Sequence, residues 1–277
     1  MSVREILTAV LFGIVEGITE WLPISSTGHM LLLDEFFGLG GSAGYRELYL
    51  ITVQLGAVMS VVTLYYDRLK PFELNGPRMR LCRENVSLWH RIALSCVPGA
   101  VVAVFFDDYV TVHLSSPSVI AAALIAYGVI FIAVERVRKG KTPRVTGSHG
   151  ISYIDALGIG LFQTASVIPG TSRSGATIVG ALAIGIERKT AAEYTFFLAV
   201  PTMIGMSAIK LLDCGASLLP HEWIYVAIGA VTAYAVSLTV IRFMTSYVGR
   251  HGFTAFAVYR IALGLLILIL CRVGFIA

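Results

Sequence analysis

An all-α polytopic membrane protein, with six full spans plus two re-entrant helix–loop–helix hairpins arranged as an inverted-topology repeat, is what the sequence predicts. Three observations lead there. The 277-residue chain is 56% hydrophobic and only 14% charged, with a mean hydropathy of +0.79, whereas a soluble domain is about a quarter charged. Six apolar stretches approach the roughly 20 residues that a spanning helix needs. Two further regions begin apolar but break at polar residues, and the two resemble each other.

The spans are expected at 47–66, 89–106, 117–137, 191–212, 222–242 and 252–272. The first broken region, 5–39, is interrupted at Leu22-Pro23-Ile24-Ser25-Ser26, and the second, 152–187, at Pro169-Gly170-Thr171-Ser172. Irregular polar backbone at membrane depth persists only where it is buried in protein or lines a wet cavity, so both regions read as re-entrant hairpins. Gly13-Ile14-Val15-Glu16 matches Gly160-Leu161-Phe162-Gln163, and Pro23 to Ser26 matches Pro169 to Ser172, at offsets of 146 or 147 residues; Glu47 falls on Glu193. The single membrane domain, 1–277, therefore divides into repeat one at 1–137 and repeat two at 150–277. Each is a hairpin followed by three spans, and an odd number of crossings inverts the second copy. Inverted repeats built on broken helices place a binding site at their shared interface.

Loop charge gives the orientation. Segment 67–91 carries Arg68, Lys70, Arg78, Arg80, Arg83 and Arg91, and 136–144 carries Arg136, Arg138, Lys139, Lys141 and Arg144. Segments 107–116 and 213–221 have no Lys or Arg. Positive loops stay in the cytoplasm, which puts both termini and the first hairpin mouth outside. The net charge of +4 reflects these loops and not a nucleic-acid surface. No secretory signal peptide is expected, since Arg4 is the lone early basic residue and no small-residue cleavage site follows. Cys82, Cys96, Cys214 and Cys271 have no paired spacing, so buried free thiols are expected.

Polar chemistry is concentrated at the breaks. Glu16 and Glu20 are one helical turn apart, and their like charges call for a cation or a shared proton. Hard divalent ions take carboxylate oxygens and bridge to phosphate; a solvated hairpin mouth would also explain the pair. Ser25-Ser26-Thr27-Gly28-His29 opens a half-helix. One hydroxyl there could be an N-cap, while a helix N-terminus favours anions and a hydroxyl near a histidine is a nucleophile candidate. Pro169-Gly170-Thr171-Ser172-Arg173-Ser174-Gly175-Ala176-Thr177 adds glycines, hydroxyl donors and a guanidinium fork matched to phosphate. It lacks the Walker lysine and spacing; a snorkelling structural arginine is the alternative. Together the two breaks suit phosphoryl transfer, which is mostly positioning and charge neutralisation.

With EGITEWLPISSTGHM at 16–30, VQLGAV at 53–58, PGTSRSGAT at 169–177, EYTFFLAVP at 193–201 and Ala257-Val258-Tyr259-Arg260, the sequence resembles the undecaprenyl-diphosphate phosphatases, membrane enzymes linked to bacitracin resistance. The resemblance implies hydrolysis of undecaprenyl diphosphate to the monophosphate and inorganic phosphate, recycling the lipid carrier of cell-wall synthesis. It implies a divalent cation, Mg2+ or Ca2+, a bacterial inner-membrane location with the site facing the periplasm, a polyprenyl diphosphate substrate among membrane lipids, and a homodimer. Carried over by position, Glu16 and Glu20 match the metal-associated acidic motif, with Glu20 also catalytic. Ser26 and His29 match the nucleophile and acid/base. Arg173 matches the phosphate-binding arginine, flanked by Ser172, Ser174 and Thr177; the residues of the two breaks add Ser25, Thr27, Gly170 and Thr171 as candidate phosphate contacts. Which of Ser26, His29 or water attacks phosphorus stays open. Acid-phosphatase-type membrane enzymes need a histidine shortly after the arginine, and none follows Arg173. A secondary transporter or lipid-phosphate flippase is the alternative reading, in which Glu16 and Glu20 carry protons or sodium.

Overall fold

The computed structural model describes residues 2–42, 44–75, 78–214 and 218–276. Eleven helices follow in order among them: α1 (Val3–Thr19), α2 (Ser26–Phe37), α3 (Tyr45–Leu64), α4 (Tyr66–Leu69), α5 (Arg83–His113), α6 (Pro117–Arg138), α7 (Tyr153–Gln163), α8 (Arg173–Ala183), α9 (Arg188–Cys214), α10 (Pro220–His251) and α11 (Thr254–Arg272). Six of them, α3, α5, α6, α9, α10 and α11, are long and apolar enough to cross a membrane. The protein is a polytopic, predominantly helical membrane protein in which the remaining long pieces are the halves of the two broken regions.

The breaks fall where the backbone demands them. Pro23 has no N–H to donate and restricts Leu22 before it, so α1 stops at Thr19 and α2 starts only at Ser26. In the second region α7 runs into a short 3₁₀ turn, Thr164–Val167, before Pro169 and the start of α8. Arg91, buried in α5, donates to the carbonyls of His149 at 2.7 Å and Ile151 at 2.6 Å, which fixes the entry to α7. Glu135 at the end of α6 receives a fork of hydrogen bonds from Arg188 at the start of α9, closing the cationic end of the bundle.

Packing interleaves the halves of the chain. α6 lies along α11, α1 and α3 lie along α10, α5 along α7, and α3 along α9. The α6–α11 crossing is close and reciprocal. A Cβ on Gly128 would lie 2.9 Å from the carbonyl oxygen of Ala257, and one on Gly264 would lie 2.8 Å from that of Ala121. Only glycine allows that backbone approach. The core joins Phe12, Tyr49, Trp21, Phe196 and Phe197 around the first break and α9. Outward faces are apolar instead, with Val104, Phe105, Ile154 and Leu212 each more than three-quarters exposed, as suits lipid.

Three expectations need correction. The segment 107–116, expected as a loop without Lys or Arg, is helical as far as His113, because α5 continues through Asp107 and Asp108. The basic segment 67–91 is not a plain loop: it holds α4 and a two-stranded antiparallel hairpin, β1 (Phe72–Asn75) with β2 (Arg78–Leu81), in register Phe72 to Leu81. Cys82, Cys96 and Cys271 are free but half-buried rather than buried; the side chain of Cys214 lies outside the described residues.

Candidate active site

The two breaks meet, and Glu20 is where they meet. Glu20 follows the last residue of α1, is 7% exposed, and accepts from both sides. Ser26 Oγ, from the first turn of α2, donates to its Oε2 at 2.9 Å. Arg173 Nη2, from the first turn of α8, donates to its Oε1 at 2.6 Å. The other guanidinium nitrogen, Nη1, donates to Thr202 Oγ1 at 2.9 Å on α9. Ser174 Oγ reaches the Glu20 carbonyl at 3.4 Å and lies 3.1 Å from Ser172 Oγ.

Both helix starts share an unusual backbone. Ser25 caps α2 at φ 70°, ψ 103°, and Ser172 caps α8 at φ 69°, ψ 123°. Among the described residues no other non-glycine has positive φ. Such a conformation costs about 1–3 kcal/mol and persists where the surroundings impose it, often at functional sites. Ser172 Oγ accepts from Gly175 N at 3.2 Å as an ordinary cap, whereas Ser25 Oγ is buried without a partner. An uncapped α2 leaves N–H donors available to an anion.

Glu16 is 2% exposed, lies against Glu20 with Arg173 as the nearby positive charge, and its Oε1 has no hydrogen-bond partner. A buried, unsatisfied carboxylate oxygen beside a second carboxylate is a donor set for a hard cation. Among the described residues no cluster of three or more His, Cys, Asp or Glu exists. The pair therefore fits an ion whose remaining ligands come from water and phosphate, the usual arrangement for magnesium, and not a closed protein cage.

The other expected residues divide. Thr177 is buried, donating within α8 and lying 2.9 Å from Thr195 Oγ1; its hydroxyl ties α8 to α9. Thr171 and Gly170 present their carbonyls to Arg260 at 2.7 and 3.0 Å. Thr27 is exposed. His29 is not bonded to Ser26. Its Nδ1–H donates to the Ser25 carbonyl at 2.7 Å, so in the neutral ring Nε2 accepts from Tyr259 OH at 2.8 Å, and the two rings stack 5.6 Å apart. The spacing of Ser26 and His29 sets both on α2 without making them a hydrogen-bonded pair.

Thr202, Tyr259 and Arg260 were given no role on sequence grounds. A signal existed for the last two: polar side chains inside an apolar run of spanning length are functional candidates by default.

Comparison with known proteins settles the family. A model of the family described as "Bacitracin resistance protein BacA" matches residues 9–266. The chain belongs to the BacA family. Relatives include an "Undecaprenyl-diphosphatase" of Enterococcus faecalis, 49% identical over 97% of this chain and 98% of that protein. An "Undecaprenyl-diphosphatase 1" of Clostridium acetobutylicum is 48% identical over 96% and 97%. An "Undecaprenyl-diphosphatase" of Streptococcus mutans is 46% identical over 95% of each chain. Matches of that length leave no large segment of this BacA-family chain without a counterpart.

Proposed function

We propose that this BacA-family protein is an integral-membrane phosphatase that hydrolyses undecaprenyl diphosphate to undecaprenyl phosphate and inorganic phosphate, returning the cell-wall lipid carrier to use and thereby conferring bacitracin resistance. The observation that carries the reading is the convergence of Ser26 and Arg173, from two different breaks, on the one carboxylate of Glu20. A hydroxyl, a base and an anion-binding fork are thereby held within one hydrogen-bonded unit.

The chemistry follows from that unit. An incoming diphosphate competes with Glu20 for the Arg173 guanidinium, which matches phosphate oxygens two at a time. Glu20, relieved of its ion pair, takes the Ser26 proton as Oγ attacks the terminal phosphorus. The bond from that phosphorus to the bridging oxygen breaks, and undecaprenyl phosphate leaves. Water then attacks the serine phosphate, yielding inorganic phosphate and restoring the hydroxyl. Glu20 is the group in hydrogen-bond reach of Ser26, so it replaces His29 as the proton acceptor in this reading. Held by Glu16 and Glu20, a divalent cation, Mg2+ or Ca2+, would supply charge neutralisation for the phosphate oxygens.

Phosphate release from the diphosphate lipid in detergent, with no gradient to drive transport, tests the reading. Turnover is expected, and binding without release would favour the transporter. Quenching labelled substrate in acid should trap phosphoserine at Ser26. An adduct that survives only alkali and maps to His29 would replace the serine as nucleophile.

The same reading makes each broken region a re-entrant hairpin and the chain an inverted repeat. Its support is the shared φ of Ser25 and Ser172 and the reciprocal glycine crossing of α6 and α11. The two caps stand 147 residues apart, so Ser26 corresponds to Arg173 and the alternative offset of 146 is dropped at the breaks. The location would be the bacterial inner membrane with the site open to the periplasm, by loop charge. In a cysteine-free background, a cysteine at the exposed Ser115 should then react with an impermeant thiol reagent on intact cells, and Cys82 restored alone should not. The reverse pattern would invert the orientation. A homodimer belongs to the same reading, and its mass in mild detergent would test it.

A further inference from the structure

The side chain of Arg260 is fully buried in α11, yet its hydrogen bonds go to neither solvent nor a neighbouring helix face. Nη1 donates to the carbonyl of Pro23 at 3.1 Å, in the first break. Nη2 donates to the carbonyls of Gly170 at 3.0 Å and Thr171 at 2.7 Å, in the second. The ring of Tyr127 lies 5.7 Å from the guanidinium carbon, a cation–π distance. One planar group thus joins both breaks through backbone atoms.

The opposite side of the fold shows that closure alone does not require this arginine. Gly28 in α2 and Gly175 in α8 stand 147 residues apart, the separation of the two helix caps. A Cβ on Gly175 would meet Arg260 Nη1 at 2.7 Å, while a Cβ on Gly28 would meet Leu124 at 3.1 Å. Leu124 and Arg260 are in turn separated by 136 residues, as are the glycines of the reciprocal α6–α11 crossing. A leucine therefore fills the place against one hairpin that the arginine fills against the other. A buried guanidinium is expensive to desolvate, and its three carbonyl partners lie just upstream of Ser26 and Arg173.

We propose that Arg260 is a positioning residue for phosphoryl transfer: it draws the two breaks to one buried point so that Ser26 and Arg173 converge on Glu20. This rests on the phosphatase reading of the same site. Ångström-scale misplacement of reacting groups costs about a hundredfold in rate, so Arg260→Leu, which copies Leu124, is expected to lower kcat about a hundredfold while KM changes little. Arg260→Lys restores the charge but cannot span both breaks, and is expected to leave kcat near the leucine level. A merely structural residue would instead lose activity in proportion to folded protein, with kcat per folded molecule unchanged.

The test pairs these kinetics with an activity-independent readout. Spin labels at Leu22 and Ile168, one in each break, in an otherwise cysteine-free protein, report the distance between the breaks. The expected result is a broadened distribution in Arg260→Leu. If the leucine variant does not fold, Gly175→Ala serves, since its Cβ displaces Nη1. A folded variant with wild-type kcat, an unchanged distance distribution, near-normal turnover in Arg260→Lys, or failure of both the leucine and the alanine variants to fold would each overturn the proposal. Wild-type protein that releases no phosphate would sink the phosphatase reading instead, and the distance measurement would still decide whether Arg260 couples the breaks.

Discussion

Glu20→Gln should lower kcat by about a thousandfold, the middle of the range for removing a general base together with its charge. Glutamine keeps the size of the side chain and one carbonyl oxygen, so it can still accept from one partner. It cannot accept from both Ser26 Oγ and Arg173 Nη2, which Glu20 does at 2.9 and 2.6 Å. The amide NH2 would face one of those donors and repel it, and no basic oxygen would remain to take the serine proton. The variant should still fold, because Ser174 reaches the backbone carbonyl of residue 20 and not the carboxylate. The measurement is phosphate release at saturating lipid in detergent, normalised to folded protein. A tenth of wild-type kcat surviving in Glu20→Gln would remove Glu20 as the base.

Arg173→Lys is the second large effect, a loss of about a hundredfold or more in kcat/KM. The native guanidinium spends its two terminal nitrogens on different partners, Thr202 on α9 and Glu20 at the end of α1. That fork is thereby held in place by two protein partners. A lysine ammonium can replace one contact as a point charge, which protects folding, but it cannot hold Thr202 and a pair of phosphate oxygens in one plane. Thr202→Val separates the two roles: it should weaken the aim of Arg173 without removing its charge, giving a smaller loss than lysine. Near-normal kcat/KM in Arg173→Lys would mean that the arginine supplies only a diffuse positive field.

Much of this arrangement was legible in the amino-acid order, for identifiable reasons. Spanning helices announce themselves because each backbone group must be satisfied within its own segment, so length and apolarity suffice. Pro23 and Pro169 marked the breaks for equally local reasons. The hairpin β1–β2 carries a strong turn signal in Asn75-Gly76, but its flanking arginines suit a basic loop equally well. The extension of α5 through Asp107 and Asp108 was missed because paired acids look like a loop, whereas a helix that projects beyond the hydrocarbon carries them easily. At the site, Glu20, Ser26 and Arg173 could be named from residue type, but not their mutual contacts. His29 shows the limit. Three residues of spacing placed it near Ser26, yet its hydrogen-bond partners are its own helix start and Tyr259, 230 positions away.

The four ionisable side chains gathered at the breaks have a consequence for what can enter. At formal charge, Glu16 and Glu20 cancel Arg173 and Arg260, so the site is electrically balanced where an excess buried charge would be costly. A diphosphate arriving by itself would tip that balance by two or more negative charges. Accompanied by a divalent cation, it restores near-neutrality. Lipid and metal should therefore bind as thermodynamically linked partners, each tightening the other by the same factor. Titrating a non-hydrolysable diphosphate lipid with and without Mg2+, and Mg2+ with and without the lipid, would give two equal ratios greater than one. Ratios of unity would show that the headgroup is neutralised by protein alone.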